Sequence, residues 1–351
     1  MSKLATYGVA ILILAGFLWF AQDTFTSYRQ QLVVLVAINI VVAVSLTMQS
    51  GFTGVFSLGQ VGFMAIGAYV GALINLPVSW KDPIILPGLP GWLATFDTSG
   101  WPDWLALAFA CVVGGLAAMA VAVVVGYPLM RLSGNYVAVA TMGFLIIVYT
   151  VLIQWDSVTY GSQGLNPIPS YTNVWSAYFW AVLTIYVAWR IRRSSFGRSM
   201  IASRDNLIAA RAVGVRVHRA RLLAFTVCGF LTGVAGCLLG HQLSIVSPSA
   251  FYFTTTFNII IMVVLGGLGS ITGAIFGALF MTLAPELLRN LETNVTIGPI
   301  HWDQAFGLQQ IILALIFIAV MILRPRGLMA GREIDLAWWQ NRRQAQPEGP
   351  E

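Results

Sequence analysis

Charge is kept from the centres of ten long stretches of this chain, and that exclusion leaves few folds open. The stretches cover residues 4–21, 32–50, 58–76, 104–127, 136–155, 175–190, 222–246, 254–267, 271–288 and 305–323. None holds Asp, Glu, Lys or Arg at its centre, and Glu286 lies near an end. A helix of about 20 apolar residues spans the hydrocarbon of a bilayer, where only helices and closed barrels satisfy their own backbone. With 58% hydrophobic and 9% charged residues, the expected fold is an all-α polytopic membrane protein of about ten transmembrane helices. Eight helices result if the turn at Gly266, Gly267, Leu268 and Gly269 folds 254–288 into one re-entrant unit. Either even number puts both ends on one side. Bulky Phe17 to Phe20 stand where a signal peptide needs small residues, so the first stretch is expected to stay as an anchor.

The charges that remain are sorted between alternate connections. With the amino terminus inside, cytoplasmic connections hold Arg131, nine arginines between Arg190 and Arg221, and a tail with Arg324, Arg326, Arg332, Arg342 and Arg343. The other side carries Asp23, Arg29, Lys81, Asp82, Asp97, Asp103, Asp156, Arg289, Glu292 and Asp303. This is the positive-inside pattern, and it accounts for the net charge of +6 without nucleic acid. One membrane domain is expected over 1–330, with a cytoplasmic basic loop at 190–221 and an external loop at 77–103 capped by Trp80, Trp92 and Trp101. Residues 331–351, with Trp338 and Trp339, read as an interfacial and fraying tail.

Several function classes are excluded by what the residues lack. Cys111, Cys228 and Cys237 form no metal-binding spacing, so neither a metal nor any other cofactor is expected in this chain. His218, His241 and His301 are scattered, no HExxH is present, and a lone membrane histidine such as His241 reads as a hydrogen-bonded packing residue. The chain is expected not to be an enzyme. No GxxxxGK[ST] loop exists to hold nucleotide, and no span has Asp, Glu, Lys or Arg at its centre to bind a coupling ion. The energy source is therefore expected on a separate ATPase subunit.

The basic loop carries more pattern than topology requires. Phe196, Met200, Ile201, Leu207, Ile208 and Val213 fall at spacings for short amphipathic helices, with Arg198, Arg204, Asp205 and Arg211 toward water. Asp205 or Asn206 is placed to cap the second helix, and Gly214 to end it in a left-handed conformation. Ala209 and Ala210 would then face outward, where small residues let a partner approach. A plain topological loop explains the arginines alone, but not this apolar face.

Here the chain resembles a known family. Ile208, Ala209, Ala210 and Gly214 align with the Glu-Ala-Ala-x-x-x-Gly coupling motif of ABC importer permeases. The acid is missing at Ile208, and Arg204, Asp205 and Asn206 resemble the form found in branched-chain amino acid permeases. SLGQVGFMAIGAYVGAL from Ser57, LSGNYVAVATMGF from Leu132, YGSQGL from Tyr160, VLGGLGSITGAIFGAL from Val264 and LRPRGL from Leu323 are similar to M-type (LivM) permeases of those importers. The resemblance covers about residues 32–330.

The family implies an ABC importer permease fold with a cytoplasmic coupling helix, in the bacterial inner membrane with both termini cytoplasmic. It implies a second, H-type permease, two cytoplasmic ATPases carrying ATP-Mg, and a periplasmic binding protein. The expected cargo is a branched-chain amino acid; related permeases carry urea, short amides or other amino acids. An ATP-independent carrier or channel, using the loop for topology alone, is the reading from another class. Arg204, Asp205, Asn206, Ala209, Ala210 and Gly214 are the coupling residues implied.

For the transport path, the uncharged stretch Ser50 to Gly62 reads either as a cytoplasmic turn or as an unwound segment that exposes backbone to a zwitterion. Asn39, Ser57, Gln60, Tyr136, Thr141 and Asn258 are the polar candidates, with interhelical hydrogen bonding as their alternative role. Gly161, Ser162 and Gln163 are placed externally, where a binding protein docks. Gly269, Gly273 and Gly277, with Gly229/Gly233 and Gly236/Gly240, read as flat packing surfaces before path.

Overall fold

The computed structural model describes residues 15–16, 18–81, 86–132, 134–293, 295–297, 300–302, 307–324 and 327–329. Most of the first candidate span and the tail at 331–351 lie outside them. Each other apolar stretch is a helix: α1 Ser27–Leu46, α2 Gln60–Asn75, α3 Asp103–Leu129, α4 Tyr136–Gln154, α5 Val174–Arg193, α8 Val217–Leu243, α9 Phe253–Gly266, α10 Ile271–Thr293 and α11 Leu308–Leu323. The basic loop contributes α6 Ser195–Asp205 and α7 Leu207–Ala212. Among the described residues seven helices are long and apolar enough to cross a membrane, α9 when counted with the turn that precedes it from Pro248, while α2 and α11 are apolar but shorter. The departures from an all-α chain among the described residues are an antiparallel ribbon, Val295–Ile297 with Ile300–Trp302, and an isolated antiparallel bridge between Leu165 and Val246.

Local chemistry sets the ends. Asn173 accepts from the Ser176 amide at 2.9 Å and starts α5 with a capping box, and Arg190, Arg192 and Arg193 face the negative end of its dipole. Asp103 in the first turn of α3 does the converse at a positive end.

Inside the bundle, α2, α3 and α8 meet backbone to backbone. A Cβ on Gly67 would sit 2.1 Å from the Gly233 carbonyl oxygen, and one on Gly236 would sit 1.9 Å from that of Met64. Only glycine permits this approach, so the packing reading of Gly233 and Gly236 is the observed one. The same holds for Gly277, whose Cβ would meet Met262 O of α9 at 1.9 Å.

Contacts between loops sort the connections onto two ends. At one, the Leu165 amide donates to Val246 O at 2.9 Å and the Gly88 amide to Ser157 O at 3.0 Å, joining the loops after α2, α4 and α8. At the other, Arg204 of α6 reaches Gly51, which follows α1, and Gly269, which follows α9. Helix α9 therefore runs from one end to the other. So does α10, because Arg289 near its far end donates to the Tyr28 hydroxyl at the start of α1. The chain at 254–288 thus folds as two helices that each run from one end of the bundle to the other.

The cap end is held by polar groups most of which find partners, Asn75 Oδ1 being an exception. Buried Lys81 donates from Nζ to Ile74 O at 3.0 Å, near the end of α2, and to Phe96 O at 2.7 Å. Burial pulls this ammonium down to about 8, opposed by Asp97. The Asp97 carboxylate is itself held low by the Ser99 amide and hydroxyl. His241, fully buried on α8, lies 2.8 Å from Cys237 O through Nδ1 and 2.9 Å from Asn75 Nδ2 through Nε2. The imidazole thus donates to its own helix and accepts from α2, a packing role. Cys111, Cys228 and Cys237 are free and buried.

Candidate functional site

The first half of the site is a break in the most buried part of the chain. The run expected to continue helically to residue 50 turns instead into one π-helical stretch, Thr47–Gly51. Polar side chains there compete for the main chain: the Ser45 hydroxyl donates to Val41 O at 2.6 Å, and the Thr53 hydroxyl donates to Gln49 O. Such back-bonding loosens the ordinary ladder, and π-turns mark functional sites. Gly54 then takes a φ of +70°, and α2 begins only at Gln60. Within Ser50 to Gly62 the chain is irregular from Gly54 to Gly59, with most side chains of the stretch buried, and this segment joins α1 to α2 at the end where the basic loop lies.

Polar groups from three helices converge on this break. Gln60 donates to Gln49 Oε1, and the Thr232 hydroxyl of α8 donates to Gln60 Oε1 at 3.0 Å. The Cys228 thiol donates to Ser45 O at 2.6 Å. Thr141 of α4 accepts from the Leu58 amide at 3.0 Å and so pins the far side of the unwound segment. Ser57, also buried, turns back on the Gly59 amide. Three buried atoms of the π-turn have no partner: Thr47 Oγ1, Gln49 Nε2 and Ser50 Oγ. Each such group costs about 1–3 kcal/mol, so three within four residues are a concentrated, uncompensated demand for hydrogen bonds.

The basic loop supplies the second half. Asn206 Oδ1 accepts from the Ile208 and Ala209 amides, both at 3.0 Å, and caps α7. Gly214, at φ +84°, follows its end. The face of α7 differs from the one expected. Ala210 is turned inward at 3% exposure, while Ile208 at 81% and Val213 at 78% stand out beside exposed Ala209. The reason is length: six residues make too little helix for periodicity to fix a face, and the tie from the Val215 amide to Ala210 O draws that side in.

Arg204 also departs from its expected direction. Its Nε and Nη2 each lie 3.0 Å from Asp205 Oδ1, while Nη1 donates to Gly51 O at 2.8 Å. The side chain points at the π-turn, not away from it. Arg192 adds a second approach, with its guanidinium 5.8 Å from the ring centre of buried Phe52.

Of the candidate path residues, the structure brings Ser57, Gln60 and Thr141 together at the break. Asn39 lies elsewhere and joins α1 to α10 through Thr282 at 2.8 Å. Tyr136, 75% exposed on the first turn of α4, and exposed Asn258 on α9 stand apart from it. Gly161, Ser162 and Gln163 form a short turn at the cap end. Sequence reasoning missed Gln49, Thr47 and Thr232. The available signal was a glutamine between a threonine and a serine at the end of an otherwise apolar run; Thr232 gave none, lying within a small-residue pattern.

Residues 28–323 match the family described as branched-chain amino acid transport system / permease component. The high-affinity branched-chain amino acid transport system permease protein LivM of Escherichia coli K12 is 28% identical over 329 residues, covering 84% of this chain and 68% of that protein. Its Salmonella typhimurium counterpart is 28% identical over 326 residues, 83% of this chain and 68% of that protein. The autoinducer 2 import system permease protein LsrC of Klebsiella pneumoniae is 31% identical over 202 residues, or 54% and 55% of the two chains. No solved structure matches.

Proposed function

The chain belongs to the permease components of branched-chain amino acid transport systems, and from that membership we propose that it carries leucine, isoleucine or valine through the break between α1 and α2. It is a multi-pass membrane transport subunit of an ABC system. The observation that carries the cargo assignment is the similarity to LivM over most of the chain. Chemistry supports it: an apolar side chain needs no polar partner, while a zwitterion's charged ends match hydroxyl and amide groups such as Thr47, Gln49 and Ser50.

Energy enters from a separate ATPase pair in this reading. With the basic loop in the cytoplasm and both termini on that side of a bacterial inner membrane, Ile208, Ala209 and Val213 are the knob that seats in an ATPase cleft. Exposed aliphatic side chains on a capped helix favour docking in an apolar groove. Asp205, Asn206 and Gly214 shape that helix, and buried Ala210 anchors it. ATP-Mg belongs to the ATPases, a second permease completes the path, and a periplasmic protein delivers cargo to the cap end. The LsrC similarity favours a second reading, a different small cargo on the same architecture.

A binding screen of the cognate binding protein, followed by uptake into proteoliposomes, tests the cargo. Leucine, isoleucine and valine are expected to bind and enter, and preference for urea or an amide would overturn the assignment. The docking reading is tested by Ile208→Glu with Val213→Glu: the ATPases should no longer co-purify, although the permease stays folded.

A further inference from the structure

We infer that Arg204 is a positioning residue of the transport cycle, the link through which movement of the basic loop reaches the break in the membrane path. This rests on the reading of α7 as the face toward the motor, and says how that face is connected inward.

The connection is a junction of chain breaks. The π-turn at the foot of α1 and the turn between α9 and α10 touch main chain to main chain: a Cβ on Gly51 would lie 2.5 Å from the Gly269 nitrogen. Arg204 fills the remaining side. Its Nη1 donates to Gly51 O at 2.8 Å, a Cβ on Gly54 would meet its Cγ at 2.7 Å, and one on Gly269 would meet Nη1 at 3.0 Å. Gly54 and Gly269 both have positive φ, +70° and +90°, so the backbone is bent around this one side chain. The chain after α11 closes the same junction, with Leu328 and Met329 amides donating to Leu265 O and Gly266 O at 2.9 and 3.2 Å.

The arginine sits where a push would arrive. It is the penultimate residue of α6, and Asn206, the cap of α7, follows two positions later. A displacement of Ile208 or Val213 is carried by that capped corner to Arg204. From there it reaches Gly51, two residues from Gln49 and its unpartnered amide. Asp205 fixes the guanidinium from the exposed side. A planar, always-charged fork is suited to hold two directions at once, which a lysine is not.

The test uses the assembled importer in proteoliposomes. Phe56→Cys places an exposed thiol on the unwound segment, and the native cysteines, all buried, stay silent to a maleimide. With Arg204→Ala the ATPases should still co-purify and hydrolyse ATP within about two-fold of the parent. Uptake should fall at least ten-fold, and ATP should no longer change the labelling rate of the introduced thiol. Arg204→Lys should restore part of both. Unchanged uptake and labelling would overturn the link, as would loss of ATPase association, which would make Arg204 a docking residue. If the alanine variant does not accumulate, Arg204→Gln decides: a several-fold fall in uptake with a blunted labelling response supports the link, and parental values overturn it. Retained ATPase association in the Ile208→Glu, Val213→Glu variant would sink the docking reading alone, since the labelling response still judges Arg204.

Discussion

At each end of the molecule a buried or half-buried cation ties distant main chain together through carbonyl oxygen, and the two ends do it under opposite conditions. At the cap end Lys81 is sealed from water between Ile74 O and Phe96 O, and His241 has partners at both ring nitrogens, with one atom of its neighbour, Asn75 Oδ1, left unpartnered. At the loop end Arg204 keeps 37% of its side chain exposed while it grips Gly51 O, and three atoms of the adjoining π-turn lack partners. A buried, largely satisfied network has one low-energy arrangement. One that is short of partners gains by rearranging. On the proposed function, the difference assigns shape-keeping to the cap end and rearrangement to the loop end.

Substitutions can break this contrast or sharpen it. The largest effect is expected for Gly51→Leu, because even a Cβ there lies 2.5 Å from Gly269 N and backbone cannot retreat from backbone. A loss of about 3 kcal/mol or more is expected, read as failure to accumulate in the membrane. At the cap end, His241→Leu strips partners from Asn75 Nδ2 and Cys237 O and should cost about 2 kcal/mol. It lowers the melting point in detergent, yet uptake per folded molecule should stay near the parent's. Gln49→Met is the converse. It removes an unpartnered amide nitrogen while freeing Gln60 Nε2, so stability should shift by about 1 kcal/mol while uptake falls at least ten-fold. If His241→Leu slowed uptake and Gln49→Met did not, the division of labour between the ends would be wrong.

The traverses were legible because exclusion of charge from a run of about 20 residues has one cause in a chain this apolar. The α7 cap at Asn206 and the left-handed Gly214 were legible because their chemistry is local. What hid were contacts made across great sequence distance. Arg204 and Gly51 are 153 positions apart, and Thr232 and Gln60 are 172 apart. Nothing in a basic loop says which arginine folds back onto a carbonyl, and a threonine in a small-residue helix looks like any packing residue. The inward turn of Ala210 hid for another reason, since one and a half turns of helix carry no period to read.

The smallest expected effect concerns pH, and it separates the two cations. Lys81 in the unfolded chain holds its proton to about 10.5, whereas burial lowers the folded value to about 8. Between these values the unfolded state binds more protons, so stability rises with pH. The penalty for burying the ammonium is in full force below about pH 8 and fades as pH climbs toward 10.5. Neutral Lys81 still donates to both carbonyls, so the cap keeps its bonds as it loses the charge. The melting point in detergent should therefore gain a few degrees from pH 7 to 9.5 in the parent, and Lys81→Met should be flatter over that range at a lower value throughout. Arg204→Gln, by contrast, should shift the whole curve without changing its slope. A parental slope in Lys81→Met would mean that the titration felt by the fold lies elsewhere than in the cap.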